Sequence, residues 1–209
     1  MERKCKVLVV GAGPGGYVAA IRAGQLGLDT IVVEGDRAGG TCLIRGCIPS
    51  KAVIHAASRF EELGAHAGAG EMGISLPDGP LLNMGQLVAW KESIVDKLNS
   101  GVEGLLKKAG VELVRGWATF RDGKTCDVET SEGSVEITAE HVILATGSRA
   151  TELPFMPFGG NIISSTEALE LAELPRKLVI IGAGYIGVQD DSTDAQGRPL
   201  KGNEATNYL

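Results

Sequence analysis

The sequence predicts an α/β fold, with a parallel-sheet domain that carries a small antiparallel meander and then the start of a second βα unit. Three observations carry that prediction. KVLVV at residues 6–10 runs straight into GAGPGG and then into a helical pattern. Residues 111–144 alternate β-favouring runs with turn signals. KLVIIGAGYIG, from Lys177, repeats the opening pattern.

KVLVV is a short, continuously apolar run, the signature of a strand buried on both faces. YVAAIRAGQLG follows with Ala, Ile and Leu at helical spacing and stops at Gly27. DTIVVEGD supplies a second strand with Glu34 at its end, completing a βαβ unit with an expected right-handed crossover. After a cysteine-bearing segment, SKAVIHAASRFEEL reads as a helix. Residues 64–80, rich in Gly, Ala and Pro, read as an irregular connection.

From Gln86 to Ala109, Leu87, Val88, Ile94, Val95, Leu98, Val102, Leu105 and Leu106 recur at helical spacing, and Gly101 and Gly104 weaken that helix enough to allow a break. VELVRGWATF, TCDVET and SVEITAEHVILATG then form the expected meander, returning to a buried strand. A loop with Pro154 and Pro157 leads to a short helix in SSTEALELAELP. The second glycine turn should also be followed by a helix, but residues 189–209 are polar and include Gly197 and Pro199. They read as a disordered tail.

Composition narrows the function classes. The chain has 209 residues, 44% hydrophobic and 22% charged, in the range of soluble globular proteins. Its net charge of −6, without a Lys/Arg cluster, argues against nucleic acid as a partner. No apolar run approaches the length of a membrane span, and the opening apolar run is too short for a signal peptide. A cytoplasmic location is expected, where a structural disulfide is rare and a catalytic one is not. The 30 glycines follow no G-X-Y period and fall in short loops beside apolar runs.

Gly11, Gly13 and Gly16 form G-x-G-x-x-G between a strand and a helix. The first glycine permits the tight turn, the second lets backbone approach a pyrophosphate, and the third packs helix on strand. Glu34 lies at the spacing of a ribose partner. The bland reading leaves the glycines to the turn alone and Glu34 as a solvated acid. Gly182, Gly184 and Gly187 repeat the pattern, so two dinucleotides are suggested, a flavin and a nicotinamide. The second unit lacks a following strand and an acidic partner.

Cys42 and Cys47 lie in GGTCLIRGCIPSK. A zinc site needs two further ligands, and Cys5, Cys126 and the scattered histidines do not supply them; no metal is expected. The remaining readings are two core cysteines or a local redox pair. The pair becomes reachable if Cys42 lies in a last non-helical turn before the helix, with Pro49 in its first turn. The positive end of a helix favours thiolate, and Lys51 adds charge nearby.

GGTCLIRGCIPSK closely resembles the active-site segment of the pyridine nucleotide-disulfide oxidoreductases, most closely the dihydrolipoamide dehydrogenase type. VVGAGPGGYVAAIRAGQLGLDTIVVE, ILATGS and LVIIGAGYIG look like the same family in the same order, covering Lys6 to about Val188. The resemblance implies a Rossmann-like FAD-binding domain over residues 1–150, the truncated start of an NAD-binding domain over 151–188, and a divergent tail over 189–209.

It further implies the roles. Cys42 would exchange with a dithiol such as dihydrolipoamide, Cys47 would face the flavin, and Lys51 would lie near its reactive nitrogen. Gly11, Gly13, Gly16, Glu34, Gly40 and Thr41 would hold FAD, with Ala118, Ala145, Thr146 and Gly147 adding backbone contacts. Gly182, Gly184 and Gly187 would belong to the NAD site, with Tyr185 over the nicotinamide pocket. In the family reaction a dithiol is oxidised and electrons pass through the cysteine pair and FAD to NAD.

The chain also departs from the family. Members are more than twice this length, form homodimers, and draw a His-Glu base from a C-terminal domain of the partner. His55, His66 and His141 do not occupy its place. Gln189 stands where a glutamate usually pairs with the lysine matching Lys51, and Arg45 intrudes between the cysteines. The chain therefore reads as the N-terminal part of a longer protein, with apolar surface left exposed. The alternatives are an FAD-holding module without turnover, a remnant that does not fold alone, or a fragment of glutathione or mercuric reductase type.

Overall fold

The computed structural model describes residues 2–65, 76, 78–182 and 184–190. Two compact units are present, residues 1–44 with 95–149, and residues 45–94 with 150–209.

The first unit is built on six strands: β1 (Glu2–Val10), β2 (Thr30–Glu34), β3 (Glu112–Arg115), β4 (Trp117–Phe120), β5 (Thr125–Thr130) and β6 (Gly133–Leu144). Their order is β3-β2-β1-β6-β5-β4. β1 pairs in parallel with β2, Val7 opposite Thr30 through Val10 opposite Val33. On its other side it pairs in parallel with β6 from Glu2–Glu136 to Val10–Leu144. β4, β5 and β6 form the antiparallel meander.

Two strands differ from the sequence reading. β1 begins four residues before Lys6, because β6 offers a partner that far back. The run VELVRGWATF splits at Gly116. Its first half, β3, joins β2 in the parallel sheet, and only its second half enters the meander.

Leu8, Val9 and Val32 are fully buried, as the continuous apolar runs require. Cys5, Leu8, Val10, Ile31, Val33, Val114, Cys126, Val128, Ile137 and Ala139 pack into one core cluster. Helix α1 (Pro14–Gln25) lies on β1 and β2 and buries Gly16, Ala20 and Ala23. Its small residues allow backbone approach: a Cβ on Gly24 would overlap the Ala109 carbonyl. Gly27, at φ +75°, ends the turn after the helix as expected.

Helix α2 (Gly40–Arg45) and helix α3 (Cys47–Ala65) flank Gly46. Helix α4 (Met84–Lys108) starts on the Asn83 side chain, which accepts from Gln86 N–H at 3.0 Å. The helix runs unbroken through Gly101 and Gly104, where the sequence allowed a break. Lys91, Val95, Val102 and Leu106 bury one stripe of the helix, and that burial outweighs about 1 kcal/mol of propensity lost at each glycine.

The second unit contains α3, the first part of α4, helix α5 (Ser165–Ala168) and helix α6 (Tyr185–Asp190). Ser164 and Glu167 form a capping box on α5. The Lys91 ammonium, almost fully buried, donates to the Leu169 carbonyl at 2.9 Å and pairs with Glu92 at 2.8 Å.

Here the structure corrects two expectations. KLVII is not a strand; residues 177–182 carry no regular structure, and Val179 and Ile181 are exposed. A strand needs a partner for its N–H and C=O groups, and every strand among the described residues belongs to the first unit. Conversely, a helix does follow the second turn: α6 takes in Gln189 and Asp190, where the reading placed a disordered tail. Gly182 at φ +108° makes a turn like that at Gly11, which is enough to start a helix locally. Residues 191–209, His66 and most of the 64–80 connection lie outside the described residues.

Candidate active site: a glycine cradle and a cysteine segment

Where β1 ends, Gly11 takes φ +99° and its N–H donates to the Val33 carbonyl at 2.8 Å. A Cβ there would run into the Ala145 carbonyl, and one on Gly16 into the carbonyl of Gly11. Ala145, just beyond β6, is itself fixed by its N–H to the Val10 carbonyl at 2.8 Å. Gly13 is the N-cap of α1, and no side chain caps that end. The terminus keeps its positive end for an anion.

The next segment presses on the turn. Gly39 N–H donates to the Ala12 carbonyl at 2.8 Å, and a Cβ on Gly40 would lie 2.5 Å from the Gly13 Cα. Gly40 sits at φ +62°, so both its conformation and its neighbour demand glycine. The Glu34 carboxylate accepts from Ala12 N–H at 2.7 Å and from Asp36 N–H at 2.9 Å. It is thereby fixed beside the turn with lone pairs to spare.

The structure thus brings Gly11, Gly13, Gly16, Glu34, Gly40 and Ala145 together at the C-terminal ends of β1, β2 and β6. In open α/β sheets ligands bind at that edge. Thr41 is exposed at the start of α2, and Thr146 and Gly147 follow Ala145 as exposed loop residues. Ala118 sits on β4 opposite Val128 and packs against the core. Gly182, Gly184 and Gly187 lie in the second unit, at a turn with no strand leading into it.

Cys42 lies within α2, not in a non-helical turn as the sequence reading supposed. Gly39, at positive φ, turns the chain immediately before α2, and Gly40, also at positive φ, is its first residue. The chain kinks at Gly46, and α3 opens on Cys47 itself. Pro49 is buried at the third position, where its missing N–H costs nothing. Ser50 N–H donates to the Gly46 carbonyl at 2.9 Å and its hydroxyl to the Cys47 carbonyl at 3.2 Å, closing that first turn. Both cysteines are half-buried thiols, and Lys51 is exposed one turn beyond Cys47. The chain passes from the first unit to the second between them.

Cys5 and Cys126 are different. Burial, with the nearby Asp29 carboxylate, pushes the Cys5 thiol up to about 11. Burial and Asp127 raise Cys126. Both are core residues, on β1 and β5. Among the described residues no group of three or more His, Cys, Asp or Glu could hold a metal ion. No described helix is long and apolar enough to cross a membrane.

One residue at this edge was missed. Trp117 is 72% exposed and lies over Gly35, the position after Glu34. The contact is long-range, between the first residue of β4 and the position just after β2, and the run VELVRGWATF carried no local signal of it.

Comparison with known proteins matches residues 5–190 to the pyridine nucleotide-disulphide oxidoreductase family. A dihydrolipoyl dehydrogenase from Pseudomonas aeruginosa is 53% identical over 187 residues, covering 89% of this chain and 40% of that protein. One from Geobacillus stearothermophilus is 49% identical over 184 residues, with 88% and 38% covered. The chain spans about 40% of the length of these relatives. Among solved structures, a Cu(II) complex of the HOCl-induced flavoprotein disulfide reductase RclA from Escherichia coli superposes with a TM-score of 0.74 at 25% identity. It covers 93% of this chain and 40% of that one. The six-stranded α/β architecture, the family match over residues 5–190 and the 53% identity agree, and the chain belongs to the pyridine nucleotide-disulphide oxidoreductase family.

Proposed function

We propose that this chain is the FAD-binding and thiol-exchanging part of a dihydrolipoyl dehydrogenase-type oxidoreductase. Residues 1–150 would bind FAD, and 151–188 would open a second dinucleotide domain. The observation that carries the reading is the approach of Gly40 to Gly13. Two glycines from separate segments leave room for a ligand's pyrophosphate over the uncapped end of α1. Glu34 would take the ribose hydroxyls of the adenosine half. Gly11, Gly16, Thr41, Ala118, Ala145, Thr146 and Gly147 would complete the cradle.

When bound, FAD supplies a two-electron acceptor that no side chain can replace. The chain's own chemistry is thiol exchange. Starting from a Cys42–Cys47 disulfide, one thiolate of the substrate attacks the Cys42 sulfur, and Cys47 leaves as thiolate. The second substrate thiol then attacks the sulfur joined to Cys42, closing the substrate disulfide and releasing the Cys42 thiol. The substrate loses two electrons and two protons, and the cysteine pair gains the electrons. Cys47 opens α3, four residues before Lys51, and would be the thiol released towards the flavin.

The second glycine turn does not make an NAD site within the described residues, so no step through NAD is assigned to this chain. That turn supports a second reading, an FAD-holding module that exchanges thiols without turnover. The parent's homodimer and its dithiol specificity belong to the same proposal. The test is the visible spectrum of the purified chain with FAD, before and after stoichiometric dihydrolipoamide. Retained flavin that bleaches or gains a long-wavelength band supports the proposal, whereas a chain that stays colourless refutes it. NAD reduction separates the enzyme from the module.

A further inference from the structure

The segment between Glu34 and Gly40 decides whether the cradle closes, yet residues 35–37 carry no regular structure. One end is fixed by β2, and the other by Gly39 N–H on the Ala12 carbonyl. Between them the backbone carbonyls of Asp36 and Ala38 need donors. Side chains supply them. The Arg115 guanidinium donates to the Asp36 carbonyl, and Asn99 Nδ2 donates to the Ala38 carbonyl at 2.6 Å. Arg115 is held in turn by Glu103, and Arg37 on the same loop pairs with Asp96 at 2.5 Å. Asp96, Asn99 and Glu103 stand at i, i+3 and i+7, so all three lie on one face of α4. The same stretch of helix is anchored by buried Val95, Val102 and Leu106. The loop is thus tied to a rigid support. The ties are unequal. Both ion pairs are partly exposed to water and contribute little. Asn99 reaches a residue with no solvent exposure, where a carbonyl without a donor is costly. Its short amide also loses little rotamer freedom, so it can fix the loop's distance from the helix.

We propose that Asn99 is a positioning residue for the dinucleotide cradle, holding residues 35–39 against α4 so that Gly40 stays seated on Gly13. It acts through the loop, not on the ligand. The role rests on the FAD-binding reading above, because the seat it maintains is the one assigned there to the pyrophosphate. Without the Asn99 amide, the Ala38 carbonyl must leave its buried place to find a donor. That movement carries Gly39 and Gly40, the next two residues, away from Ala12 and Gly13.

Asn99→Ala in the full chain removes the donor, and Ile137→Val, a core truncation in the middle of β6, controls for lost stability alone. Amide exchange of the peptide covering residues 35–40, followed by mass spectrometry, should quicken on the order of ten-fold in Asn99→Ala and stay near the wild-type rate in the control. Affinity for ADP should fall on the order of ten-fold in Asn99→Ala and by less than about two-fold in Ile137→Val. Combined with Gly40→Ala, Asn99→Ala should weaken ADP binding little further, since both variants lose the same seat. Losses that multiply in the double variant, or exchange that stays at the wild-type rate in Asn99→Ala, would overturn the proposal. If wild type binds neither ADP nor FAD, the FAD reading and this role fall together. If wild type binds both and Asn99→Ala binds them equally well, the positioning role alone is overturned.

Discussion

Replacing Gly40 with alanine tests whether the cradle is set by backbone contact or by the turn alone. At φ +62° an L-residue pays about 1 kcal/mol or more over glycine. The new Cβ would also lie 2.5 Å from the Gly13 Cα, some ~1 Å inside ordinary carbon contact. Its neighbour is backbone, so no side chain can swing aside, and the overpacking adds about 1–3 kcal/mol. The sum is about 2–4 kcal/mol, a large share of the total stability of an ordinary domain. Gly101→Ala is the matched control. Its Cβ would meet nothing within 4 Å, and it lies inside α4, so it should stabilise by about 1 kcal/mol. Urea unfolding followed by far-UV circular dichroism reads both. Relaxation at position 40 would open the cradle, so Gly40→Ala should also release FAD more readily than Gly101→Ala. Midpoints that move in the same direction by similar amounts would refute the reasoning.

Three more predictions follow from individual residues. With FAD bound, Cys47→Ser should abolish the long-wavelength band induced by dithiol, while Cys42→Ser should keep a thiolate beside the flavin and lose exchange. Equal spectra for the two would contradict the division of roles. The fold favours the neutral Cys5 thiol, held at about 11 against an ordinary 9.0. Its contribution to stability is therefore complete below about pH 9 and declines as pH rises towards 11. Cys5→Ala should lose less stability than wild type between those limits, and parallel urea midpoints would rule the effect out. Lys91→Ala removes buried methylenes and strips the Leu169 carbonyl of its donor, a loss of about 2–4 kcal/mol by urea titration. A neutral result would mean that the buried ammonium contributes no net stability.

The features legible in the sequence were those set by neighbours along the chain. Val7–Val10 and Ile31–Val33 announce buried strands because nothing polar interrupts them, and Gly27 ends its helix because it alone takes positive φ cheaply. Gly40 and Thr41 entered through family resemblance, and only the structure gives Gly40 a physical reason. Misreadings came where a distant partner decides. Propensity at Gly101 and Gly104 left room for a break, but the stripe from Lys91 to Leu106 is buried and the helix continues. β3 looked like the first strand of the meander, but β2 offered it a parallel edge. The contact of Trp117 with Gly35 was invisible because Gly35 follows β2, far from Trp117 along the chain.

The two glycine turns make the same point within one chain. Each places its third glycine against the carbonyl of its first, Gly16 on Gly11 and Gly187 on Gly182, and each starts a helix. So G-x-G-x-x-G encodes a local turn in both places. Beyond that they part. Gly11 is backed by the Ala145 carbonyl at the end of β6, and Gly13 by Gly40 at the start of α2. Around Gly182 and Gly184 a Cβ would meet nothing within 4 Å. The run before Gly182 has no sheet to join, and no counterpart of Glu34 follows among the described residues. The cradle proposed at the first turn draws on three segments that the motif does not contain: a parallel partner strand, an acid at the end of the next strand, and a glycine arriving from elsewhere to close on the second glycine. The first unit supplies all three from residues 30–40 and 133–145, which is why adenine-nucleotide binding by this chain should survive removal of residues 177–190 from the full sequence. Loss of ADP binding on that deletion, with the circular dichroism of the first unit intact, would place the binding determinants in the second turn instead.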